Sequence, residues 1–215
     1  MLLIFNIFEL GVKENEKNAY VAVGKNNITK SVLNDEGTLG MYLVQEKENP
    51  NMTYMFEVYE DEKSYQEHIK SEQYKEFLRQ SPTILTNHKK KIQVMPEYMG
   101  DKKFVQTRNT RVNYVTVDVK EGFNDAFREI VLDEMKQSIK KEEGVYVIYA
   151  ATAKENPDKW YFFEIYENEK AYQKHRKTAH FKKYIEQTEN IIENKEFINI
   201  EGVKLLNKGN LNYVK

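Results

Sequence analysis

WYFFEIYENEKAYQKHRKTAHFKKY, residues Trp160 to Tyr184, has a near copy earlier in the chain: TYMFEVYEDEKSYQEHIKSEQYKEF, residues Thr53 to Phe77. The two align without a gap at a shift of 160 − 53 = 107 residues. Between Glu36 and Gln80 that shift gives 20 identities in 45 positions. Self-similarity at a fixed period decides how many structural units a chain holds, so it is read before any other pattern. This chain reads as two copies of one unit, residues 1–100 and 111–215. A polar connector over 101–110, the run GDKKFVQTRN (Gly100–Asn109), joins them.

Composition narrows the partners. The 215 residues carry 33 basic and 34 acidic side chains, interspersed, for a net charge of −1. A nucleic-acid surface would show a basic excess on one domain or face, so none is expected. The one lysine cluster, His88-Lys89-Lys90-Lys91, reads as a solvated strand end. The chain has no cysteine, which excludes disulfides, thiolate metal sites and a cysteine nucleophile. The opening MLLIFNIFEL lacks a basic lead and is interrupted by Asn6 and Glu9, unlike a signal peptide. No stretch approaches the ~20 apolar residues of a membrane span. The expectation is a soluble, cytoplasmic protein without a membrane partner.

Working outward from the repeated stretch gives the order of elements. Leu2–Val12 and Arg111–Val119 are apolar, β-prone and alternating, and read as strands. Phe123, Phe127, Ile130, Val131, Met135 and Ile139 recur at helical spacing, so an amphipathic helix follows in the second copy. The first copy has a weaker pattern, with Gly24 and Asn26-Asn27 inside it, and its helix is inferred from its partner. Glu36-Gly37 and Glu143-Gly144 are expected to end these helices through a left-handed glycine. Two strands then flank a turn at Glu48-Asn49-Pro50-Asn51 and Glu155-Asn156-Pro157-Asp158. A second helix begins near Asp61 or Asn168 and breaks around Ser71 or Thr178. A last strand is expected at about Lys91–Glu97 and Phe197–Leu205. The fold class is therefore α+β: β-α-β-β-α-β, twice, the ferredoxin-like unit. Each such unit leaves one sheet face bare, so the two are expected to pack as an intramolecular pseudo-dimer, an α+β barrel.

A strand ending in Glu-x-aromatic, an acidic helix start, a small-aromatic step and a following His recur in both copies. They are Glu164-Ile165-Tyr166, Ala171-Tyr172, His175 and His180 in the second, and Glu57-Val58-Tyr59, Ser64-Tyr65 and His68 in the first. Gln73 stands where the first copy would have its second His. This pattern resembles the antibiotic biosynthesis monooxygenase domains of the dimeric α+β barrel superfamily. The resemblance implies catalysis without metal, flavin or haem: a pocket binds a quinol-like or polyphenolic aromatic, removes a proton, and lets the anion reduce O2. Such a site needs a base, oxyanion donors and a cavity that excludes water. On this resemblance the catalytic candidates are His175, His180, His68, Asn113 and Asn6. The aromatic ligand would be bound by Tyr166, Tyr59, Glu164, Glu57, Tyr172, Tyr65 and Trp160.

Other readings of the same residues stay open. The histidines also fit as bridges to the second helix, the glutamates as structural partners, the tyrosines as core. His175 and His180 lie five apart, not the three or four that align ligands on a helix, so no metal site is expected. The haem-degrading branch of the family places an axial His where this chain has Leu78 and Ile185, which ranks haem chemistry below quinol oxygenation. A non-catalytic barrel that binds a small hydrophobic ligand is the alternative from a different class. The second copy keeps both histidines and the only tryptophan, and is the stronger candidate for activity.

Overall fold

The structure, a computed structural model, describes residues 2–215. Met1, where the first repeat was expected to begin, lies outside them. The first repeat runs β1 (Ile4–Val12), a short 3-10 turn, α1 (Lys17–Asn34), β2 (Thr38–Glu46), β3 (Met52–Tyr59), α2 (Glu62–His68), α3 (Glu72–Ile84), β4 (Leu85–Ile92) and β5 (Val94–Asp101). The second runs β6 (Arg111–Val119), α4 (Asn124–Lys141), β7 (Val145–Ala153), β8 (Lys159–Tyr166), α5 (Glu169–His175), α6 (Ala179–Thr188), β9 (Ile192–Ile198) and β10 (Ile200–Asn207). A three-residue strand, β11 (Asn212–Val214), follows. Each repeat has the ferredoxin-like strand order, β2-β3-β1-β4 and β7-β8-β6-β9. The weakly patterned first helix is present, and α1 and α4 match in length at the 107-residue shift.

Chain ends of the short helices follow local chemistry. Asp61 and Asn168 cap α2 and α5, their side chains accepting from the Ser64 and Ala171 amides at 2.8 and 2.9 Å. Ser71 and Thr178 cap α3 and α6 in the same way, accepting from Tyr74 N and Phe181 N at 3.3 Å each. These caps account for the break in the second helix that the sequence predicts.

Two expectations are corrected. First, the closing segment of each repeat is two strands, split at Gln93 and Asn199, and the first of the two starts well before Lys91 or Phe197. The leading strands β4 and β9 are sheet edges whose side chains are mostly exposed, so they lack the apolar alternation that marks a strand. Lys89 to Lys91 lie on β4, where charge discourages edge-to-edge pairing. The trailing strands change sheets: β10 joins the first sheet beside β2, and β5 joins the second beside β7. The compact units are accordingly discontinuous, 1–94 with 104–106 and 200–209, and 95–103 with 107–199 and 210–215.

Second, Gly37 and Gly144 do not adopt the left-handed conformation. Among the described residues, positive φ occurs at Gly122, Gly209 and Asn210 only. The helices end earlier, where the amides of Asp35 and Glu142 bond the Ser31 and Ser138 carbonyls at 3.0 Å. Glycine is required at 37 and 144 for space. A Cβ on Gly37 would stand 1.9 Å from Ser64 Oγ, and one on Gly144 2.7 Å from Ala171 Cβ.

In the first unit, Tyr20, Val23, Ile28 and Val32 of α1 pack on Met41, Leu43 and Met55 of the sheet. In the second, Phe127, Val131 and Met135 of α4 pack on Val115, Val117, Ile148 and Phe162. No helix among the described residues is long and apolar enough to cross a membrane.

The glycine contacts make a measurable prediction. Gly144→Ala should lower the unfolding free energy by about 1–3 kcal/mol through overpacking against Ala171. Adding Ala171→Gly should recover part of that loss, so the double variant is more stable than the two single costs sum to. Urea unfolding of the four proteins measures this; strictly additive costs would remove the close-approach explanation.

Candidate active site in the second unit

Antiparallel register decides which side chains share a face. β6 and β8 pair with Asn113 opposite Glu164, Val115 opposite Phe162 and Val117 opposite Trp160. Alternation along each strand then puts all six, with Tyr166, on the face that α4, α5 and α6 cover. A cavity of about 480 Å3 opens between that face and the helices. Its floor is Val115, Val117, Phe162, Glu164 and Tyr166; Glu134, Met135, Tyr172, His175, Phe181 and Tyr184 form the helical wall. Arg111, Arg176, Lys195 and Phe197 stand at its rim.

Glu164 is the polar centre of the floor. Its Oε2 accepts from Asn113 Nδ2 at 3.1 Å and from the Tyr166 hydroxyl at 2.9 Å. Among the described residues no hydrogen bond engages its other oxygen. Arg111 extends the chain by donating from Nε to Asn113 Oδ1 at 3.1 Å, while pairing with Glu169. It also stacks over Tyr172, 4.1 Å from the ring centre, and Tyr172 packs on Tyr166. Burial pushes the Tyr166 hydroxyl well above its ordinary range, and the neighbouring Glu164 adds to the shift. It therefore remains a donor at neutral pH.

His175 ends α5 and His180 opens the first turn of α6, and the cap at Thr178 turns both rings toward one carboxylate. His175 Nδ1 and His180 Nε2 lie 3.0 and 2.7 Å from the same Glu142 oxygen. Glu134, one α4 turn from Ser138, accepts that hydroxyl at 2.6 Å and stands 3.8 Å from His175 Nε2. Burial pushes the Glu134 carboxyl up to about 7, against the pull of His175 and Ser138. Burial lowers the His175 pKa, but the Glu142 hydrogen bond and nearby carboxylates outweigh it and leave it raised. Lys195 keeps much of its surface in solvent, yet its ammonium runs 5.8 Å from the Tyr184 and Phe197 ring centres. Desolvation there holds the amine below its usual range, with Glu164 opposing.

The structure thus brings together Glu164, Tyr166, Tyr172 and His175 at the cavity, with Asn113 and His180 behind it. Trp160 is fully enclosed between Phe127 and Phe162, donates to Asn124 Oδ1 at 2.8 Å, and does not line the cavity. Sequence reading missed Glu134, Glu142, Arg111, Arg176 and Lys195. A signal for Glu134 was present: the aligned position of the first repeat holds Asn27, so an amide becomes a carboxylate on a helix face that should be apolar.

The first unit keeps the scaffold with different electrostatics. Tyr59 donates to Glu57 Oε2 at 2.9 Å, Asn6 faces Glu57 across the ladder, and Tyr65 packs on Tyr59. Burial raises Glu57 to about 7, with Tyr59 and Asn6 opposing. His68 is enclosed between the Tyr59 and Tyr74 rings, and neither of its nitrogens has a hydrogen-bond partner. Asp35 Oδ2 is 3.7 Å from Nδ1, beyond hydrogen-bond range, because Gln73 and Ser31 hold the neighbouring network. Burial alone lowers the imidazole to about 4.

With this geometry described, comparison places the chain. The sequence profile described as antibiotic biosynthesis monooxygenase matches it twice, over residues 3–80 and 110–187. The chain belongs to the antibiotic biosynthesis monooxygenase family. A crystal structure from Lactobacillus acidophilus described as a "putative monooxygenase" is similar over 99% of this chain and 100% of its own, at 28% identity and a TM-score of 0.94. A Fusobacterium nucleatum protein described in the same words is 28% identical, covering 100% of this chain and 98% of its own, with a TM-score of 0.93. An anthrone oxidase-like protein shares the fold at 9% identity and a TM-score of 0.56, covering 96% of this chain and 97% of its own. No curated protein matches the chain. Family and full-length neighbours together support a monooxygenase-type function for this antibiotic biosynthesis monooxygenase family member.

His68 gives this family member a pH signature. Its folded pKa of about 4 lies below the ordinary value of 6.5, so the unfolded chain takes up the proton first. Its contribution is complete above about pH 6.5 and is lost as pH falls toward 4. Between pH 7 and pH 5 wild type should lose about 2 kcal/mol more unfolding free energy than His68→Gln. Parallel slopes for the two proteins would refute a buried neutral imidazole.

Proposed function

We propose that the cavity of the second unit is the active site of a monooxygenase acting on a quinol-like or polyphenolic aromatic with O2, without a prosthetic group. The observation that carries this reading is Glu164. Asn113 and Tyr166 engage one of its oxygens and leave the other without a hydrogen bond. It stands on a floor otherwise made of Val115, Val117 and Phe162, in a cavity wide enough for a fused aromatic.

In this reading Glu164 is the base, and the donors on its far oxygen hold its orientation. The proton of the substrate hydroxyl passes to Glu164, giving an electron-rich anion. That anion transfers one electron to O2, and the radical pair combines at a ring carbon as a hydroperoxide. Loss of water then breaks the O–O bond: one oxygen stays on carbon, the other leaves as water, and the substrate supplies all the electrons. In this reading His175 and His180, both hydrogen-bonded to Glu142, orient the helical wall and are given no proton-transfer role. Arg111 and Tyr172 form a flat, cationic lip suited to an aromatic with ionised hydroxyls.

Oxygen uptake with a panel of reduced naphthoquinols and anthrones tests the reading. Wild type should exceed buffer autoxidation, and Glu164→Gln should lose about 100-fold or more in kcat while binding of the oxidised quinone is retained. Uptake equal to buffer across the panel, with quinone binding intact, would instead make this a non-catalytic ligand-binding protein. Undiminished uptake in Glu164→Gln would remove the base assignment.

A further inference from the structure

We propose that Glu134, His175 and His180 form a binding site for a divalent transition-metal ion of the zinc class. One donor atom from each lies within 4.8 Å of the others, and the three come from separate helices, α4, α5 and α6. His175 Nε2 and Glu134 Oε1 are 3.8 Å apart, too far for a hydrogen bond. That gap is close to the ~3.4 Å between adjacent donors bound tetrahedrally at about 2.1 Å from one ion. A five-residue spacing between His175 and His180 would not align them on one helix, but the break at Thr178 does so across two.

The surroundings are those of a prepared ligand set. Glu142 accepts from His175 Nδ1 and His180 Nε2, a carboxylate partner that orients both rings, and it leaves His175 Nε2 facing Glu134. Ser138 orients Glu134. All three ligand side chains are at most 8% exposed, so little water competes for them. The first repeat supplies the contrast. At the shifted positions it has His68 but Asn27 and Gln73, and Gln73 Nε2 closes an amide network onto Ser31 and Asp35. Two positions of this cluster differ between repeats by gain of a ligand type, and both gains fall in the second unit.

Access exists from two sides. Glu134 and His175 line the 480 Å3 cavity, while Glu134 and His180 also line a separate hollow of about 320 Å3 beside Glu129 and Asp133. Two imidazoles and one carboxylate suit Zn2+, Co2+ or Fe2+ and disfavour Mg2+ and Ca2+, which prefer oxygen donors. Three protein ligands leave a coordination position open. The assignment stands independently of the oxygenation reading, and its test reads binding alone.

Calorimetric titration of the chelator-treated full chain with Zn2+, Co2+ and Mg2+ is the decisive measurement, with the visible spectrum of the Co2+ form recorded alongside. Wild type should bind one Zn2+ or Co2+ and ignore Mg2+, and the Co2+ form should show ligand-field bands. Glu134→Asn with His180→Gln, which imports the residues of the first repeat, should abolish both signals while retaining native circular dichroism. Glu142→Gln should weaken binding about 10–100-fold. His88→Gln, on exposed β4, should bind as wild type does. No heat and no Co2+ bands in wild type would overturn the proposal, whatever the variants do. Binding undisturbed by the double variant would overturn it equally.

Discussion

Each unit depends on the register of its central strand pair. Because side chains alternate faces, sliding β6 by one residue on β8 would move Val115, Val117 and Asn113 off the helix-covered face together. The apolar members of that face would lose α4, and Asn113 would lose Glu164. The same ladder therefore builds the core and the polar centre of the cavity. A carboxylate such as Glu164 is tolerated on this floor because cross-strand pairing delivers Asn113, and alternation along its own strand delivers Tyr166, at hydrogen-bond distance.

What the sequence revealed and what it hid divide by range. Alternation, helical spacing, Asn-Pro turns and the caps at Asp61, Asn168, Ser71 and Thr178 are local, and the elements follow from them. The Glu-x-Tyr pattern of Glu164 and Tyr166 also was legible, since residues two apart on a strand share a face. Gly37 and Gly144 were misread because their reason is a helix packed against them, not their own backbone. β4 and β9 were hidden because solvent-facing edge strands carry no apolar alternation. Glu134, Glu142 and Lys195 are scattered over 62 residues and meet only through tertiary packing around one cavity and its wall.

Duplication exposes how few changes redirect a site. His68 and His175 occupy the same place on the same short helix, each against a tyrosine of the third strand in its repeat. His68 has no bonded partner and is held neutral by desolvation. Its counterpart sits between two glutamates and shares one of them with His180. The backbone scaffold is common, so the difference traces to side chains: Asn27 to Glu134, Asp35 to Glu142 and Gln73 to His180. Charge burial is costly without partners, which explains why carboxylates and imidazoles occur together in the second unit.

The exchange of trailing strands sets an order of events on the ribosome. When the second unit emerges, its borrowed strand β5 has already been made. The first unit must wait: β10 pairs with β2 through partners such as Ile200 and Glu46, 154 residues apart. Until then β2 presents a free edge beside Met41, Tyr42, Leu43 and Val44, all fully buried in the finished protein. An apolar edge held open during synthesis invites pairing with other chains. Most of the first unit is thus made long before the strand that completes its sheet, and its edge stays open through synthesis of the second repeat.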